Sequence, residues 1–172
     1  MLLLLADGTQ VPVTELPGAG PWTFLVLQPG GPDPAAGEAA ALLTRFGRAV
    51  VPDLRGRPGW NEPPGSPGFL DLVDDLDQLR TGAGLGRPVL VGVEGLVPAA
   101  VQAAADQPWA WRALLLVPRD DRAVPAADVD RVDLPVLVVE ALAGQVEAVA
   151  GLLGRLGGGP GWAGIAPDAP PR

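Results

Sequence analysis

The chain has no histidine, cysteine, lysine or tyrosine, and its single serine and single asparagine are Ser66 and Asn61. These absences remove whole classes of chemistry. Without imidazole there is no side chain whose ordinary pKa makes it a base near neutral pH, and the usual zinc and haem ligands are missing. Without thiols there is neither a disulfide nor a thiolate nucleophile. No cofactor and no metal is expected. Positive charge is scarce as well: twelve basic residues, all arginine, face twenty acidic ones, for a net charge of −8. That is the wrong sign for a phosphate-binding surface, so nucleic acid is excluded as an expected partner.

What is present describes a folded core. The 172 residues are 48% hydrophobic and 19% charged, with a mean hydropathy of +0.26, which suits one domain with a buried interior. The 24 glycines and 21 prolines make up about a quarter of the chain, a level at which disorder becomes a concern. The apolar runs argue against it. Residues 1–172 are therefore read as one domain, with 157–172 as a Gly/Pro-rich tail. Met1 to Leu5 is apolar but lacks a basic flank and meets Asp7-Gly8 at once, too short for a signal peptide or a membrane span. It reads as a first strand, and the expected location is cytoplasmic, with no membrane partner.

Leu2 to Leu5 and Val11 to Glu15 flank Asp7-Gly8-Thr9, which predicts an antiparallel hairpin. Trp22 to Leu27 predicts a strand, Gln28 to Gly31 a glycine loop, and Pro34 to Phe46 a helix. A strand at Ala49 to Pro52 and a Pro/Gly loop from Asp53 to Pro67 follow. From Gly68 to Thr81, apolar Phe69, Leu72, Val73, Leu76 and Leu79 recur at helical spacing while Asp71, Asp74, Asp75 and Asp77 take the other positions, which predicts an amphipathic helix with a solvated acidic face. Strands are predicted at Pro88 to Gly92, Arg112 to Val117 and Pro135 to Val139, helices at Leu96 to Asp106 and Gly144 to Leu156, and a last short strand around Trp162 to Ile165. Alternating strand and helix means a three-layer α/β/α arrangement on a mostly parallel sheet.

Several segments, in order, resemble the α/β-hydrolase fold superfamily. They are Leu4 to Thr9, Leu27-Gln28-Pro29-Gly30-Gly31-Pro32, Val51-Pro52-Asp53-Leu54-Arg55-Gly56, Asp71-Leu72 with Asp75-Leu76, Gly86 to Gly92, Arg112 to Pro118 and Leu134 to Val139. The resemblance spans about residues 1 to 140 and implies a small, capless member, because Pro118 to Asp133 leaves room only for a loop where many relatives insert a cap.

The same resemblance implies that the catalytic triad is vacant. Relatives carry a serine nucleophile in G-x-S-x-G on a sharp strand-to-helix turn. Here the segment is Gly92-Val93-Glu94-Gly95-Leu96, so Glu94 stands at the nucleophile position and Leu96 replaces the second small residue. That bulk predicts a relaxed turn, with Gly95 taking any positive φ it needs. The oxyanion loop begins Gln28-Pro29, and proline removes a donor. The acid position falls near Ala143-Gly144, with Glu140 nearby, and the histidine has no counterpart. Haloalkane dehalogenases and epoxide hydrolases use an aspartate at the elbow, yet they need histidine to hydrolyse the ester. Glu94 thus has three readings: a cap on the following helix, a ligand contact, or an atypical catalytic carboxylate.

Other candidates weigh toward structure. Ser66 sits in a Pro/Gly turn before a helix and reads as a cap. Gly82 to Gly86 closes a helix rather than opening one, so it is a connector and no dinucleotide fingerprint. Asp120, Asp121, Asp128, Asp130 and Asp133 alternate with arginines and read as a solvated loop more than a cation site. Asp53 and Arg55 read as a loop anchor. Trp60 has no obvious core to fill and reads as a pocket lip or an interface anchor, whereas Trp109 and Trp111 are expected to pack. Ligands on parallel sheets bind beyond the carboxyl ends of the strands, which gathers Gln28, Asp53, Trp60, Glu94, Arg119 and Glu140 into a candidate acidic rim. The expected function is a non-catalytic pseudo-hydrolase acting as a binding or assembly module for a small neutral or cationic ligand. An atypical hydrolase around Glu94 and a purely structural homodimer are the alternatives. A homodimer is expected because the sheet edge after Leu156 has little left to cover it.

Overall fold

The computed structural model describes residues 1–30, 38–119, 124–140 and 142–157. Seven strands form one sheet: β1 (Leu2–Leu4), β2 (Gln10–Leu16), β3 (Trp22–Leu27), β4 (Gly47–Pro52), β5 (Val89–Val93), β6 (Ala113–Val117) and β7 (Val136–Val138). Their order is β1-β2-β4-β3-β5-β6-β7. The β1–β2 and β2–β4 pairs are antiparallel and all others parallel. The hairpin turns where expected, with Gly8 at φ +83° and Asp7 Oδ1 accepting the Thr9 amide at 2.8 Å.

The central strands are buried on both faces, which is why they read as unbroken apolar runs. Alternate residues of β3 serve different layers. Leu25 and Leu27 join α2 (Pro67–Gly82) and α3 (Val97–Asp106) in one core. Phe24 and Val26 face α1 (Glu38–Leu43) and α5 (Val146–Leu156) in the other. The period-two alternation of a strand thus separates the two helix layers.

Ser66 caps α2, its hydroxyl accepting the Phe69 amide at 3.2 Å. The glycine connector at the other end is a Schellman stop: Gly84, at φ +65°, donates to the Thr81 carbonyl, and Leu85 donates to that of Arg80.

Four details differ from the sequence expectation. The described part of the first helix ends at Leu43, and β4 begins at Gly47, two residues early, because Gly47 lies against the Trp22 backbone so closely that a Cβ there would collide with it. The 118–133 connection contains a one-turn helix, α4 (Ala126–Val129), begun by Pro125, whose fixed φ suits a helix start. Trp111 is fully buried as expected, its indole N–H donating to the Ala103 carbonyl at 3.2 Å. Trp109 instead is 67% exposed, because a 3₁₀ turn at Pro108–Ala110 directs the two rings apart. The strand expected at Trp162 to Ile165 lies outside the described residues. Among the described residues, no helix is long and apolar enough to cross a membrane.

Candidate functional site

β5 ends at Val93, and the chain turns sharply at Glu94 into a 3₁₀ turn, Glu94–Leu96, that runs into α3. Glu94 has φ +49° and is the one described non-glycine residue with positive φ. This corrects the expectation that Leu96 relaxes the turn and that Gly95 absorbs the strain. Leu96 is buried beneath the turn, so its bulk is accommodated in the core and the elbow stays tight. The turn also needs Gly92: a Cβ there would lie 2.6 Å from the Ala100 Cβ, so α3 packs directly on the β5 backbone. Among the described residues, a Cβ on Gly95 would meet nothing within 4 Å.

The sheet register brings Arg119 to this tip. Val93 pairs with Val117 across β5 and β6, so residues just past the two strands emerge side by side. Arg119 Nη2 donates to Glu94 Oε2 at 3.2 Å, with the side chains 65% and 41% exposed. Among the described residues this is the only polar contact either side chain makes. The Glu94 carboxylate therefore does not cap α3, and the capping reading is replaced by an arginine pair.

Above the elbow lies a cavity of about 420 Å³. One side is a face of α3: Val97 and Val101 sit a turn apart, with Pro98 and Gln102 beside them. Phe69 of α2 and Val124 supply further apolar wall, and Asp128 and Arg131 also line it. Arg131 Nη2 donates to Gln102 Oε1 at 3.4 Å. The Gln102 amide in turn donates to both Asp106 carboxylate oxygens, at 2.9 and 2.8 Å. The lining holds two carboxylates and two guanidinium groups, so its charge is balanced and not acidic.

Of the six residues expected at the rim, the cavity gathers Glu94 and Arg119. Gln28 is buried at the end of β3. Asp53 is engaged by Arg55, whose Nε and Nη2 donate to its two carboxylate oxygens at 2.8 and 2.6 Å, and this hydrogen bonding holds the carboxyl below its ordinary value. Trp60 packs against the α2–α3 core, and the aromatic wall of the cavity is Phe69. Glu140 is exposed at the far end of β7. Nothing in the spacing of Gln102 and Arg131 sets them apart from a solvated surface, and Asp128, weighed in the sequence only as a cation ligand, lines the cavity. Asp120 and Asp121 lie outside the described residues, and among those described no three potential ligands group to hold a metal.

No protein-family model and no curated relative matches the sequence. Solved structures do. An N-formylmaleamic acid deformylase from Pseudomonas putida S16 is 23% identical, with a TM-score of 0.53 over 70% of this chain and 47% of that one. A hydrolase from Pseudomonas aeruginosa PA01 is 23% identical, with a TM-score of 0.55 over 90% and 57%. A meta-cleavage product hydrolase from Pseudomonas fluorescens IP01 is 15% identical, with a TM-score of 0.50 over 70% and 45%. The chain spans about half the length of these proteins. They establish the class of fold and no more: the described residues have an α/β-hydrolase-like fold.

Proposed function

We propose that this chain is a non-catalytic α/β-hydrolase-like module that uses its elbow for binding. The observation that carries this reading is the Glu94–Arg119 pair: the tip of the elbow holds an ion pair facing a cavity, with no histidine anywhere in the chain to serve as base. A Glu94 ester, even if formed, would lack the group that activates water against it. The ligand is a small molecule without net charge, since a cavity lined by equal numbers of both charges has no excess of either sign to attract an ion; the cationic ligand expected of an acidic rim loses its ground.

Activated aryl esters, lactones and haloalkanes offered to the purified chain should turn over no faster than in buffer. Saturable turnover abolished by Glu94→Gln would overturn this reading in favour of an atypical hydrolase. A thermal-shift screen of cationic, neutral and anionic metabolites should give hits among those without net charge. A screen with no hits would leave a purely structural role.

The module also associates as a homodimer in this proposal. Support comes from the sheet edges, where Leu2 and Leu4 of β1 and Val138 of β7 are exposed apolar residues on strands with no outer partner among the described residues. Sedimentation at tens of micromolar should give a dimer mass, and a monomer there would remove this part of the proposal.

A further inference from the structure

We infer that the cavity takes a zwitterionic ligand of the α-amino-acid class, with an apolar side chain. The inference rests on the binding-site reading above and narrows it. The Glu94 carboxylate and the Arg119 guanidinium lie side by side, joined through one nitrogen and one oxygen only, Nη2 and Oε2. Glu94 Oε1 and the remaining Arg119 nitrogens make no polar contact among the described residues. An α-amino acid carries its ammonium and carboxylate on one carbon, so it presents opposite charges in the same side-by-side arrangement. Its ammonium can donate to Glu94 while its carboxylate accepts from Arg119, and every charge is then paired.

A bare amine or a bare acid cannot do this. The amine competes with Arg119 for Glu94 and leaves the guanidinium with less than it had; the acid does the reverse. The mouth thus discriminates against both single charges by stranding one of its own groups, the kind of selectivity a preformed pair supplies.

The walls define the rest of the ligand. Beyond the pair, Val97, Val101, Phe69 and Val124 form an apolar passage, with Val97 and Val101 about 6 Å apart along the α3 axis. Gln102, Asp128 and Arg131 also line this space. The space of about 420 Å³ accommodates a branched or aromatic amino-acid side chain with room to spare. Gly95 leaves room for the head group, because among the described residues nothing lies within 4 Å of where its Cβ would be.

The test is calorimetric titration of the full chain with L-leucine, with 3-methylbutylamine, which lacks its carboxylate, and with 4-methylpentanoic acid, which lacks its ammonium. L-Leucine should bind at least about tenfold more tightly than either analogue. Glu94→Gln and Arg119→Gln should each remove that preference, and both positions are exposed enough for the variants to fold, which circular dichroism checks. If the amine binds as tightly as the amino acid, the site is a cation site; the zwitterion inference then fails while the binding module stands. If none of the three binds but a neutral metabolite in the screen does, the inference fails in the same way. If nothing binds in either experiment, both fall together.

Discussion

At Glu94 the backbone holds φ +49°, a left-handed conformation that costs a residue bearing a Cβ about 1–2 kcal/mol. Glycine escapes that cost but loses more entropy on folding. Glu94→Gly should therefore stabilise the fold modestly, by about 0.5–1 kcal/mol, and Glu94→Val should destabilise it by about 1 kcal/mol or more, since a branched Cβ is least tolerated there. Urea unfolding midpoints at constant slope report both changes. A destabilising Glu94→Gly would mean that the ion pair to Arg119 outweighs the strain.

Three carboxylates lowered by hydrogen bonds make the fold sensitive to acid, and Asp75, pushed up by burial, opposes them. Hydrogen bonds from the Thr9 amide and hydroxyl hold Asp7 below its ordinary value, Arg55 does the same for Asp53, and the Ser66 hydroxyl with the Gly59 amide lowers Glu62. A group whose pKa falls on folding adds stability that is fully present above its unfolded value and is lost as pH drops through the folded one. The urea midpoint should accordingly be flat from neutrality down to about pH 5 and fall below about pH 4. Glu62→Gln should flatten that fall. The importance of Glu94 is legible from its place after a buried strand and before a helix, and Arg119 follows from strand register. The location of the strain is not legible, because it depends on Leu96 finding room in the core.

Among elements, one arginine ties three together. Arg57, in the loop after β4, bonds Asp75 of α2 and reaches Asp7 of the β1–β2 turn at 3.2 Å. The Arg57 and Asp75 side chains are only 10% and 8% exposed. Arg57→Met should cost about 3–5 kcal/mol, because it strands a buried carboxylate. Adding Asp75→Leu should recover much of that loss, which a double-mutant cycle on unfolding free energies measures. If the double variant is no more stable than the single one, the loop depends on the arginine for its shape and not merely for neutralising Asp75. The hairpin, β3 and α2 could be read closely from apolar period and turn residues. Asp75 could not: by periodicity it belongs with the acidic residues of α2, yet it is buried, because its partner arrives from a loop 18 residues earlier in the chain. The α4 turn has no sequence signature for a related reason, since the alternating Asp, Arg and Val around it carry no helical period.

For the whole molecule, the strand–helix alternation was sufficient to indicate the sheet, its hairpin and its two helix layers. The cavity was less accessible to the same reading. Its floor comes from the elbow and α3, but its far wall comes from 124–131, whose position follows from side-chain contacts and not from any pattern. That wall meets α3 through the Arg131–Gln102 hydrogen bond and adjoins the exposed Arg119–Glu94 pair at the cavity mouth, while the sheet beneath is fixed by apolar packing. Ionic strength therefore acts on the two differently. At about 0.5 M NaCl the screening length shrinks to only a few ångströms, so an exposed pair weakens while hydrophobic burial is undiminished. Amide exchange in 124–131 should quicken with added salt at constant pH, with β3, β5 and β6 unchanged, and ligand affinity should fall in step. The cavity would then behave as a salt-tuned receptor on a salt-indifferent frame, its occupancy set as much by the medium as by ligand concentration.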